Sequence, residues 1–187
     1  MEKYSLKIEG TTPLLLEKYI LQKTSTTKKV DYSDEWKDKT YLSPDGFVII
    51  TGEMFKACLN QGSKGLKNGK LFMSKLIPTG LVLQDFETKI HINKSPITLK
   101  DIEKNGWINY YRKVISGKSN IGNRTQIPPG WTMEWNFINR EVRLRKDDVQ
   151  EVIKNAGLYC GLGGQRPSSP RKPGNYGQFK ILNFELV

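Results

Sequence analysis

The chain has 187 residues and a formal net charge of +11, from 30 Lys and Arg against 19 Asp and Glu, with a pI near 9.6. That length suits one domain with a real core, and the charge calls for an anionic partner, either nucleic-acid phosphates or anionic lipid, unless it merely solubilises. Two cysteines, Cys58 and Cys160, are too few and too far apart for a disulfide scaffold or a zinc site. No apolar run approaches the roughly 20 residues that span a membrane, and residues 1–10 hold no apolar signal region, so a cytoplasmic location is expected.

Tyr4, Leu6 and Ile8 alternate with polar residues, the period of a half-buried strand. Residues 11–44 read as a long inserted loop that opens on Leu14, Leu15 and Leu16 and turns basic at Lys28 and Lys29. A turn at 43–46 precedes a short buried strand at 47–50. Thr51 is placed to cap a helix over 52–61, with Phe55, Cys58 and Leu59 on one face. Residues 62–70 read as a second flexible basic loop. Strand character returns at 81–92, and 97–105 predicts a short helical turn. Residues 107–115 form an aromatic, basic strand with Tyr110, Tyr111, Arg112 and Lys113, and 116–130 read as a loop carrying Arg124. Together, 92–130 form an inserted hairpin or subdomain. Trp131, Met133, Trp135 and Phe137 share one face of the clearest strand. The clearest helix covers 146–156, with Asp147 and Asp148 in its first turn and Gly157 as its stop. The last strand, 178–186, loses its alternation between Ile181 and Leu182, which predicts a bulge.

This order predicts an α+β domain over 1–187: a ferredoxin-like, RRM-like βαββαβ sheet with long inserted loops and a C-terminal glycine-rich loop. In RNA-recognition modules the helix-free face of such a sheet binds single strands. The loop GLGGQRPSSPRKPGNYGQF at 161–179 offers a second place for nucleic acid. Gly163 and Gly164 let backbone amides approach a phosphate closely. Arg166 can grip it bidentately, Arg171 and Lys172 add attraction, and Tyr176 can stack on a base. The plainer alternative is a turn that only lets the last strand pair with the first. Lys7, Lys56, Arg112 and Arg124 complete the set of candidate nucleic-acid-binding residues.

GLGGQR at 161–166 followed by GNYGQF at 174–179 resembles the glycine-rich C-terminal signature of the RAMP superfamily, the repeat-associated proteins of CRISPR systems. DGFVIITGEMFK at 45–56 resembles that family's strand-to-helix junction. The loop 167–173 is longer than the family's compact form, and the chain is shorter than most backbone subunits. The resemblance implies a subunit that holds single-stranded or guide RNA, or single-stranded DNA, by its backbone, beside copies of itself or other subunits of a ribonucleoprotein. A phage or mobile-element protein that docks on such a complex is an alternative.

Catalysis has weak candidates. His91 is the lone histidine and cannot serve as both acid and base. No HExxH, Walker A, GxSxG or dinucleotide fingerprint is present. The resemblance implies that some members cut RNA with an acidic residue in the loop after the first strand, where Asp31 and Asp34 lie. A metal-dependent endoribonuclease is therefore the enzymatic alternative, while no cofactor or resident metal is expected.

Overall fold

A computed structural model describes residues 1–19, 34–115 and 117–187. Strand β1 spans Glu2–Gly10 and β2 Leu14–Leu16, and α1 is a single turn, Glu35–Asp38. Strand β3 (Ile49–Thr51) runs straight into α2 (Gly52–Gly62). A small hairpin, β4 (Lys67–Asn68) and β5 (Leu71–Phe72), leads into α3 (Met73–Gly80). Four short strands follow: β6 (Leu81–Leu83), β7 (Glu87–Lys89), β8 (His91–Ile92) and β9 (Ser95–Pro96). Then come α4 (Leu99–Asn105), β10 (Ile108–Ile115), β11 (Lys118–Ile127), β12 (Thr132–Asn139), α5 (Lys146–Asn155), a π-helical turn (Ala156–Cys160) and β13 (Phe179–Leu186).

The main sheet is antiparallel in the order β13-β1-β12-β8-β9, with β6 also paired to β12. Register puts Tyr4 opposite Phe137, Leu6 opposite Trp135 and Ile8 opposite Met133. All six are buried. Helices α2 and α5 cover this face: Phe55 stacks on Trp135 with ring centroids 4.7 Å apart, and Val149, Val152 and Ile153 are fully buried. Each large apolar side chain sequestered here contributes about 1.5–3 kcal/mol. A surface ion pair such as Lys7–Glu134, at 2.6 Å, contributes roughly 0–1 kcal/mol, so packing sets the layers. Thr51 caps α2 through its hydroxyl, which accepts from the Met54 amide. The bulge in β13 sits where the alternation slips, since Lys7 pairs with Asn183 and Ile8 with Ile181.

The opposite sheet face presents Ser5 and Lys7 from β1 beside Thr132, Glu134 and Asn136 from β12. None of these is aromatic, so this stretch offers no stacking platform for bases.

Several elements differ from expectation. Residues 118–127, expected as loop, form β11, paired along β10 and then with β2. Three consecutive buried positions in it are polar: Asn123, Arg124 and Thr125. They satisfy their hydrogen bonds elsewhere in the chain, which removes the apolar alternation that marks a strand. Within 62–70, Lys67 and Asn68 pair with Phe72 and Leu71. Helix α3, which carries Pro78, follows in a stretch where no element was expected. Gly157 does not stop α5; the chain widens into the π turn, and Gly157 lies so close to Phe179 that a Cβ there would overlap its carbonyl oxygen. Among the described residues, no helix is long and apolar enough to cross a membrane.

Candidate functional site

Three buried leucines anchor the segments around the site. As β2, Leu14, Leu15 and Leu16 are fully buried and pair with Ile127, Gln126 and Thr125 of β11. On its other side β2 supports the glycine loop. The Gly164 amide donates to the Leu15 carbonyl at 2.8 Å, and the Gly177 amide to the Pro13 carbonyl at 2.8 Å. Gly163 lies so close to the Leu15 carbonyl that any side chain would overlap it. The second sheet and the glycine loop therefore share one strand, and a cleft of about 490 Å³ opens between them.

The loop wall of this cleft holds Gly163, Gly164, Arg166, Arg171 and Lys172. Arg166 also closes the loop: its Nη1 donates to the Gly163 carbonyl at 3.0 Å and its Nε to Ser168 Oγ at 3.2 Å. Its guanidinium is thus held in place before any ligand arrives. Arg171 and Lys172 are exposed, and neither has a hydrogen-bond or ion-pair partner among the described residues.

The facing wall holds Tyr111 and Arg124, and Glu17, Tyr41 and Met54 also line the cleft. Arg124 is 4% exposed. Its Nε donates to Asn109 Oδ1 at 3.2 Å, its Nη1 to Glu17 Oε2 at 3.1 Å, and the guanidinium lies 4.6 Å from the centre of the Tyr111 ring. Tyr111 is anchored from below, where Lys39 Nζ donates to its hydroxyl at 2.6 Å and to the Asn123 carbonyl at 3.2 Å. Lys39 also pairs with Glu35 at 3.1 Å, and Lys113 pairs with the other Glu35 oxygen at 2.7 Å. The backbone around α1 seals the network: the Trp36 amide donates to Asn123 Oδ1 at 2.8 Å, and the Thr40 and Thr125 hydroxyls meet at 2.7 Å. With Lys39 buried and Glu35 and Lys113 half-buried, the cluster tolerates its burial only because each charge is hydrogen-bonded.

Burial pushes the Glu35 carboxyl up, but hydrogen bonds and charge from Lys113 and Lys39 outweigh it and hold the group below its ordinary value of 4.5. A depressed folded value means stability that is present above 4.5 and lost as pH falls through the folded value. Glu35→Gln is therefore expected to be less stable at neutral pH and to lose less on acidification below 4.5, read as urea midpoints on both sides of that value. Equal acid losses in the two proteins would remove Glu35 from the network's energetics.

Six of the sequence-derived candidates meet in the cleft: Arg124, Gly163, Gly164, Arg166, Arg171 and Lys172. Tyr176 is half-buried and does not line it. Lys56 is half-buried on α2, two residues from Met54. Lys7 lies on the open sheet face against Glu134. Arg112 is exposed and donates to Ser119 Oγ at 2.7 Å; it points with Tyr110 away from Tyr111, as strand alternation requires. Lys28, Lys29 and Asp31 lie outside the described residues. Asp34 is exposed and pairs with Lys37 at 3.3 Å, and among the described residues no three His, Cys, Asp or Glu side chains converge as a metal site. His91 is half-buried, with Nδ1 3.1 Å from the Lys89 carbonyl oxygen. Both cysteines are buried and unbridged, and burial pushes both thiols up. Sequence reading missed Glu17, Tyr41 and Met54, whose only signal is that they follow short apolar or turn segments.

No family model and no curated protein matches the chain. Solved structures do match. A chain in the cryo-EM structure of the Type III-B Cmr-beta bound to cognate target RNA superposes with a TM-score of 0.60 at 13% identity. The match covers 100% of this chain and 60% of the other, so this chain spans less than two thirds of that neighbour's length. At this identity the likeness is one of fold: the α+β arrangement of antiparallel sheets is shared.

Proposed function

We propose that this chain is a RAMP-like RNA-binding subunit of a CRISPR-type or related ribonucleoprotein. It holds single-stranded RNA by its phosphate backbone in the cleft between the glycine loop and the β10–β11 hairpin. The observation that carries this reading is the convergence of Arg124, Arg166, Arg171 and Lys172 on one concave surface. Such a surface attracts phosphates without reading bases. The fold match to a chain from an RNA-bound Cmr-beta supports it. So does the strand order β13-β1-β12-β6, with α2 between β1 and β6 and α5 between β12 and β13, which is the order of a ferredoxin-like βαββαβ domain. In this reading 1–187 is a single domain, 92–130 an inserted subdomain, and the partners are single-stranded RNA and neighbouring subunits. The mixed-charge sheet face, lacking aromatics at its centre, is not the RNA seat.

Arg171 and Lys172 are the test, because both are exposed and unpartnered. Arg171→Ala with Lys172→Ala should weaken single-stranded RNA binding about equally for all sequences. It should flatten the plot of log affinity against log salt by about 1.4, at about 0.7 per phosphate contact on a single strand. Thermal stability should move by no more than about 0.5 kcal/mol. An unchanged affinity and slope would take the RNA out of this cleft.

A further inference from the structure

The cleft contains an anion of its own. Among the described lining residues, Glu17 carries the sole carboxylate, set against four cations. Its Oε2 accepts from Arg124 Nη1 at 3.1 Å. The same oxygen lies against Gly164, 3.0 Å from where a Cβ would stand. The carboxylate therefore sits between the buried arginine and Gly164, accepting from the Arg124 donor that a phosphate oxygen would use. It is not a surface pair of no consequence: the Arg124 side chain is 5% exposed, whereas the Glu17 side chain is 39% exposed and free to swing out. Arg124 commits two of its five N–H donors, to Asn109 and Glu17. Tyr111 and Asn109 hold the guanidinium whether or not Glu17 stays.

We infer that Glu17 is a built-in stand-in for a ligand phosphate, and that the strand seats fully only when its phosphate displaces this carboxylate from Arg124. This rests on the reading of the cleft as a phosphate-backbone site. Two consequences follow. In the resting protein Arg124 is already neutralised, so it contributes little to long-range attraction of RNA. The cleft also discriminates against weak or singly charged anions, which cannot outcompete a tethered carboxylate, in favour of a polyanion whose neighbouring phosphates are held by Arg166, Arg171 and Lys172. Glu17 thus acts as a threshold for strand entry.

Glu17→Gln keeps the size and the acceptor oxygen and removes the charge. Glu151→Gln, an exposed carboxylate on α5 that does not line the cleft, removes one charge elsewhere. Binding of a labelled oligouridine is measured across a salt series, and binding of inorganic tripolyphosphate by thermal shift. Glu17→Gln is expected to bind the oligouridine about three- to tenfold tighter at low salt, with a salt slope steeper by about 0.7, because Arg124 then neutralises a phosphate without setting free a carboxylate that takes up a counterion. Glu151→Gln should change neither by more than a small fraction of that. Tripolyphosphate should stabilise Glu17→Gln more than the unaltered protein. If the oligouridine binds but Glu17→Gln behaves like Glu151→Gln, the displacement idea falls and the RNA cleft stands. If the oligouridine binds none of the proteins, the RNA reading falls. Tripolyphosphate then decides the inference: selective stabilisation of Glu17→Gln upholds an anion site guarded by Glu17, and no difference overturns it.

Discussion

Gly177→Ala is expected to destabilise the protein by about 4 kcal/mol or more, at the extreme of what one substitution does. Gly177 has φ +69°, a left-handed conformation that costs an L side chain about 1–2 kcal/mol. The larger part is steric. A Cβ there would overlap the Leu162 carbonyl oxygen. That overlap cannot relax cheaply, because the residue is pinned on both sides. Its amide donates to the Pro13 carbonyl at 2.8 Å, and its carbonyl accepts from the Leu162 amide at 2.9 Å. Moving it pulls the glycine loop off the start of β2 and disturbs the entry into β13. Gly46→Ala is the control: it has φ +82° and open space around it, so it should cost only the conformational part, about 1–2 kcal/mol. Urea unfolding of both variants separates the two contributions. If Gly177→Ala proves as mild as Gly46→Ala, the loop is not seated on β2 as described.

Lys39→Met should cost about 3 kcal/mol or more, the usual penalty for removing one partner from a buried charged network. Methionine refills the volume of the stem but supplies no donor, so the Tyr111 hydroxyl and the Asn123 carbonyl lose the lysine, and Glu35 keeps only Lys113. The effect reaches the cleft, because Tyr111 is the ring on which the Arg124 guanidinium lies. Lys39→Met is therefore expected to weaken RNA binding beyond its loss of stability, although Lys39 does not line the cleft. A double-mutant cycle with Tyr111→Phe isolates the shared hydrogen bond; a coupling of about 1–2 kcal/mol is expected in unfolding. Strict additivity would show that Lys39 and Tyr111 act separately and that the network does not support the cleft.

How far the chain was legible depended on what each segment buries. Where apolar residues fall into register with the backbone period, the reading was direct. Tyr4, Leu6 and Ile8, the Trp131 to Phe137 stripe, and Val149, Val152 and Ile153 all lie where their spacing puts them, inside. Thr51 and the bulge beyond Ile181 were equally plain, because a cap hydroxyl and a slipped alternation are local signals. Strand β11 was opaque for the opposite reason. Its interior includes Asn123, Arg124 and Thr125 in succession, and burying them is tolerable only because Trp36, Thr40, Asn109 and Glu17 supply partners. Those partners lie up to 107 residues away in sequence. Helix α3 was hidden by Pro78, which a sequence rule treats as a breaker.

The sequence alone determined the apolar stripes of β1, β12 and α5, the α+β class, and a glycine-rich loop flanked by cations, since each of these is written in neighbouring positions. Tertiary structure alone decided that Arg124 joins Arg166, Arg171 and Lys172, that Lys39 holds Tyr111 beneath them, and that Glu17 pairs with Arg124 inside the same cleft. Those contacts connect segments near residues 17, 39, 111, 124 and 163–172. The sharing of β2 between the second sheet and the glycine loop brings the two walls of the cleft face to face, and no local periodicity encodes which strand two distant walls will share.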